Sequence, residues 1–96
     1  MTVYALAQIT ITDRDAYQRY LSRFMEVFQQ FRGRLLAADE APEQVEGEWG
    51  YQKAILMSFP DAQAFREWSQ SEQYITIARD RKAGSHGVVL LLQGLQ

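Results

Sequence analysis

Five branched apolar residues stand in a row near the end of the chain, Val88-Val89-Leu90-Leu91-Leu92. A half-buried strand alternates apolar with polar residues; a strand apolar at every position needs shelter on both faces. The rest of the sequence holds two good amphipathic helical segments, enough to cover one face of a small sheet. Something outside a single copy must cover the other face, and the simplest candidate is a second copy of the same chain.

The other elements fit around that strand. In residues 2–11, Val3, Ala5, Ala7, Ile9 and Ile11 point one way and Thr2, Tyr4, Leu6, Gln8 and Thr10 the other. The first set is apolar and is expected to face helices. The second is mixed, as suits a covered face that lines a partly polar space. Thr12 or Asp13 can cap the following helix, where Tyr17, Tyr20, Leu21, Phe24, Phe28 and Phe31 recur at spacings of three and four. Gly33 is expected as its left-handed C-cap. A short strand over 34–40, a turn at Ala41-Pro42 and a strand over 51–59 follow, the last ended by Pro60. Asp61 is an N-cap for a helix with Ala62, Phe65 and Trp68 on one face. Ser71 caps a further segment in which Tyr74, Ile77, Ala78 and Arg81 share a face. Residues 83–87 are expected as a loop into the last strand.

The order β-α-β-β-α-β is the ferredoxin-like α+β arrangement: a four-stranded antiparallel sheet with two helices on one face. Its length of 96 residues makes 1–96 a single domain. The uncovered sheet face carries Tyr4, Leu6 and alternate residues of the third and last strands. Left wet, it exceeds the apolar patch that monomers tolerate, so a homodimer is expected. A sheet that binds single-stranded RNA would need aromatic platforms and basic flanks. The chain offers Tyr4 and a net charge of −2, which speaks against nucleic acid and against an anionic membrane surface.

The chain has no cysteine, which removes disulfides, thiolate metal sites and cysteine nucleophiles. Met1-Thr2-Val3-Tyr4-Ala5 lacks the basic-then-apolar pattern of a signal peptide, and no apolar run has the length of a membrane span. A cytoplasmic location is the default expectation. There is no Gly-rich phosphate loop, nucleophile elbow or paired metal-ligand motif, so no cofactor and no metal is expected.

Val45-Glu46-Gly47-Glu48-Trp49, Phe59-Pro60, and Trp68 followed by Ser71-Glu72-Gln73-Tyr74 resemble the domain-of-unknown-function 1330 family. Asp15-Ala16-Tyr17 with Tyr20, Gly33-Arg34, the Arg79/Arg81 region and Gly94 extend the likeness over essentially the whole chain. The resemblance implies a homodimeric α+β barrel in which two ferredoxin-like sheets face each other, and it implies no established activity. Acidic residues frequent in the family before the phenylalanine-proline pair and before the final glycine are replaced here by Ser58 and Gln93. By fold alone the family is similar to the dimeric barrels of antibiotic-biosynthesis monooxygenases, haem-degrading monooxygenases and muconolactone isomerases.

Candidate chemistry is sparse. His86, the single histidine, is either the proton carrier of a cofactor-free reaction or a solvated loop residue. Arg81 runs its stem along an apolar helix face, so its guanidinium either anchors an anionic group of a ligand or makes a structural ion pair. Trp68 and Tyr74 belong to the helical core or to a pocket wall. Trp49 suits a pocket rim or a dimer contact, and Tyr17 points into the core or into a cleft between helix and sheet. Two functions stay open: a homodimer that binds or transforms a small organic molecule without nucleotide or metal, and a non-catalytic module whose purpose is assembly.

Overall fold

The computed structural model describes residues 1–95; Gln96, the last residue of the expected span, lies outside the described residues. Strand β1 (Val3–Ile11) sets the two faces. Its Val3, Ala5, Ala7 and Ile9 are buried, and Tyr4, Leu6 and Gln8 on the other side are half-buried. With β2 (Arg34–Asp39), β3 (Lys53–Phe59) and β4 (Ser85–Gln93) it forms an antiparallel sheet in the order β2-β3-β1-β4. Helices α1 (Arg14–Phe28), α2 (Ala62–Ser69) and α3 (Glu72–Gly84) complete the ferredoxin-like α+β fold. The second helical region is broken in two at Gln70-Ser71, where the Ser71 hydroxyl starts a new helix.

Each helix begins where its capping residue dictates. Asp13 Oδ1 accepts from the backbone N–H of Asp15 and Ala16 at 3.1 and 3.2 Å. Asp61 Oδ1 accepts from Ala64 N–H at 2.8 Å, and the Ser71 hydroxyl oxygen from Tyr74 N–H at 3.1 Å. These bonds satisfy backbone donors that a helix start leaves open. The α1 stripe then packs as an aromatic core: Phe24 stacks on Phe28, and the rings of Phe28 and Phe59 flank Trp68.

Three expectations are corrected. Gly33 is not a C-cap: α1 ends at Phe28 with Gln29 as cap, and Gly47 alone has a positive φ among the described residues. Gly33 instead leaves room for rings, since a Cβ there would lie 2.5 Å from Phe59 and 2.6 Å from Phe28. Residues 83–87 form no loop: α3 runs to Gly84 and β4 starts at Ser85. Gly84 makes this abrupt change possible because α1 sits directly on it. Its carbonyl accepts from Thr12 and Asp13 N–H at 2.8 and 3.1 Å, and a Cβ would meet Tyr17 N at 2.5 Å.

The third correction concerns β4. It is an edge strand, and within one copy neither of its faces is sheltered. Val88, Val89, Leu90, Leu91 and Leu92 are all exposed, from 36% to 48%. Val89 and Leu91 pair with Ala7 and Ala5 and so share the helix-facing side, yet the helices do not reach over them. The other edge, β2, is exposed throughout, including Leu35 and Leu36.

Candidate ligand-binding cleft

The helical layer and the helix-facing side of the sheet do not close on each other. Between them lies a cavity of about 270 Å³. Tyr17, Tyr20 and Phe24 line it from α1, Phe65 and Trp68 from α2, Tyr74 and Arg81 from α3, and Ile9, Lys53 and Met57 from the sheet. Aromatic rings and aliphatic chains make up most of the wall, with a few polar groups, the usual composition of a small-molecule site.

Lys53 is the most unusual of those groups. It is 5% exposed, the one buried charged residue among those described. It reaches the cleft because it pairs with Ile9 and shares the inward parity of Ile55, Met57 and Phe59. Its Nζ lies 4.8 Å from the centre of the Tyr17 ring, a cation–π arrangement. Glu40 is the nearest carboxylate at 3.9 Å. That carboxylate is already held by Arg14 through two hydrogen bonds of 3.1 and 3.0 Å. Burial pulls the Lys53 pKa below the usual lysine value, and Glu40 opposes the shift. Arg14 in turn holds Glu40 below the usual carboxylate range.

The tyrosines supply neutral hydroxyls. Tyr20 and Tyr74 share a buried hydrogen bond of 2.9 Å, with either oxygen able to donate. Burial raises the Tyr17 pKa to about 12 and pushes that of Tyr20 well above its ordinary value, the latter helped by Tyr74. Two further donors are buried without a partner among the described residues: Trp68 Nε1 and Arg81 Nε. A buried donor left unpaired costs about 1–3 kcal/mol. Trp68 cannot turn away to find a partner, because its ring packs 4.2 Å from that of Tyr74 and 5.2 Å from that of Phe28, centre to centre.

Four residues singled out from sequence, Arg81, Tyr17, Trp68 and Tyr74, thus meet in one cavity. Two do not. Trp49 donates its indole N–H to Gln8 Oε1 at 2.7 Å, and Gln8 belongs to the opposite sheet face. His86 pairs with Thr10 on that same face, is exposed, and lines an adjoining groove that shares Arg81 and Val89 with the cavity. His86 thus lies on β4 outside the cleft lining, in the groove that adjoins it. Lys53 went unnoticed in the sequence, although the alternation of β3, extended by two residues from Ile55, points it inward. Among the described residues, no group of three or more His, Cys, Asp or Glu is placed to hold a metal ion, and no helix is long and apolar enough to cross a membrane.

A family model described as domain of unknown function (DUF1330) matches residues 2–95. No curated protein matches the chain. Solved structures of low identity share the fold. A protein of unknown function from Rhodopseudomonas palustris is 17% identical with a TM-score of 0.82, covering 99% of this chain and 83% of its own. A dimeric ferredoxin-like protein of unknown function from Jannaschia sp. is 15% identical with a TM-score of 0.70, covering 98% of this chain and 100% of its own. SnoaB, a cofactor-independent oxygenase from Streptomyces nogalater, is 15% identical with a TM-score of 0.69, covering 99% and 94%.

Proposed function

Because the chain belongs to the DUF1330 family, whose function is unknown, we propose its role from the cleft itself. Each copy binds a small, largely apolar organic molecule between helices and sheet, without a nucleotide or metal cofactor, and two copies pair through the open side of the sheet. The observation that carries this is an aromatic cavity of about 270 Å³ whose lining includes a buried lysine, Lys53, and Arg81. Such groups are costly in an empty core and useful against a bound acceptor. Arg81 anchors the ligand, and Tyr17, Trp68 and Tyr74 form its walls. If the bound molecule is transformed, Lys53 is the group in the cleft best suited to carry a proton, since its lowered pKa brings it nearer to neutral. SnoaB supports this at the level of the fold: in that protein the same frame serves an oxygenase that needs no cofactor.

The paired state is supported by the five exposed branched residues of β4 and by the dimeric ferredoxin-like proteins that share the fold. A module that only assembles would account for the sheet face and leave the cavity without a purpose.

A thermal-shift screen of small aromatic and alicyclic molecules tests the cleft. Several are expected to raise the Tm of the native chain and to lose that effect in Ala7→Leu, which fills the cavity from β1. A screen without any stabilising compound, or stabilisation unaffected by Ala7→Leu, would contradict the proposal.

A further inference from the structure

The cleft's charge is unbalanced. Its lining includes two cations, Lys53 and Arg81, and among the described residues no Asp or Glu. Glu40 stands outside the wall and is engaged by Arg14 on both oxygens. Its 3.9 Å separation from Lys53 Nζ exceeds the ~2.7–2.9 Å of a charge-assisted hydrogen bond. Arg81 takes part in none of the ion pairs among the described residues. Lys53 and Arg81 therefore line a mostly apolar space with no carboxylate among the described residues bonded to either, where an uncompensated charge is expensive.

The donors point to the same conclusion. Lys53 and Arg81, both in the lining, carry head groups that can only donate. The acceptors among the wall's side chains are hydroxyls, and two of these, on Tyr20 and Tyr74, already bond to each other. A neutral carbonyl would satisfy a donor and leave the surplus charge in place. An oxyanion does both.

We propose that the cleft is built for an organic anion: the ionised carboxylate, phenolate or enolate of a small ring-bearing molecule, with Lys53 and Arg81 meeting its charge and the aromatic wall its ring. This rests on the cleft being the ligand site and adds the chemical class of what enters it. Recognition would then favour the ionised form of an acid over its neutral form, and would weaken with salt less than at an exposed site.

The test compares 1-naphthoate with 1-naphthamide, which match in shape and differ in charge. Affinity is measured by calorimetry. The indole N–H resonance of Trp68, distinguished from that of Trp49 by Trp49→Phe, reports whether the probe sits in the cleft. The expected result is naphthoate binding about tenfold or more tightly than naphthamide, with the Trp68 resonance moving. Lys53→Met and Arg81→Met should each shrink the preference for naphthoate over naphthamide. The wild-type comparison decides even if a variant does not fold. Equal binding of the two probes with Trp68 displaced would overturn the anion and leave the cleft standing. A naphthoate preference that survives both substitutions would overturn it too. Neither probe moving Trp68 would overturn the cleft and the anion together.

Discussion

Lys53 concentrates the chemistry of this chain in one side chain. Its folded pKa is lowered, chiefly by burial, so between that value and the usual lysine value the unfolded chain holds more protons than the folded one. Stability must rise with pH across that window. In Lys53→Met the rise should vanish, and the unfolding free energy from urea denaturation near neutral pH should be unchanged or higher by up to about 2 kcal/mol, because a buried cation has been replaced by an apolar side chain of similar size. Tyr17 carries the opposite sign. An unfolded tyrosine ionises near pH 10, whereas Tyr17 holds its proton to about 12. Between those values the folded state holds more protons, and stability falls by at most about 2–3 kcal/mol. Tyr17→Phe should lessen that alkaline decline, leaving the part carried by Tyr20, in denaturation curves taken from about pH 9 to about pH 11; an unchanged slope would remove Tyr17 from the account. At this scale the sequence was partly legible. Arg81, Tyr17, Trp68 and Tyr74 announce themselves through helical spacing. Lys53 is a charged residue at the start of a strand, normally a solvated position, and only the parity of its neighbours shows that it faces inward.

The elements are where pattern reading succeeds and fails for identifiable reasons. Caps at Asp13, Asp61 and Ser71 are local chemistry, and all three form as the sequence indicates. Gly33 and Gly84 are not local. Each is small because a distant element packs on it, Phe59 against Gly33 and the start of α1 against Gly84. A sequence shows the glycine and not the neighbour. At Gly84 the atoms in the way are backbone, Tyr17 N and Asp13 O at 2.5 and 2.8 Å from a built Cβ, so they cannot rotate aside. Gly84→Ala is expected to cost about 1–3 kcal/mol, measured by urea unfolding, and to shift Tyr17 and with it the cleft. A stability within about 0.5 kcal/mol of wild type would mean that the α1–α3 junction is softer than the geometry implies. The places of His86 and Trp49 are not legible for a related reason. Which face of the sheet receives each depends on the register of β4 and on the path of the β2–β3 connection, and residue type does not encode that path.

At the scale of the whole molecule, the two sides of the sheet have different tasks. The helix side encloses the cleft; the other side, where Tyr4, Leu6, Val88, Leu90 and Leu92 stand with Gln8, Thr10 and His86, is open in a single copy, as are both edge strands. The unbroken run Val88–Leu92 announced that need in the sequence, and the structure adds that the helices leave even the inward residues Val89 and Leu91 uncovered. Leu90, 48% exposed and paired with Leu6 on the open face, is the sharpest probe. On a free surface Leu90→Asp would change stability by about 0.5 kcal/mol or less. Buried against a second copy it should break the pair and make unfolding independent of protein concentration, whereas the native chain unfolds at higher urea as its concentration rises. The most direct measurement is the molar mass of the native chain by light scattering at micromolar concentration. Two copies sharing their open sheet faces predict twice the 11.1 kDa of one chain. A mass of 11.1 kDa, with no association on raising the concentration, would contradict the account.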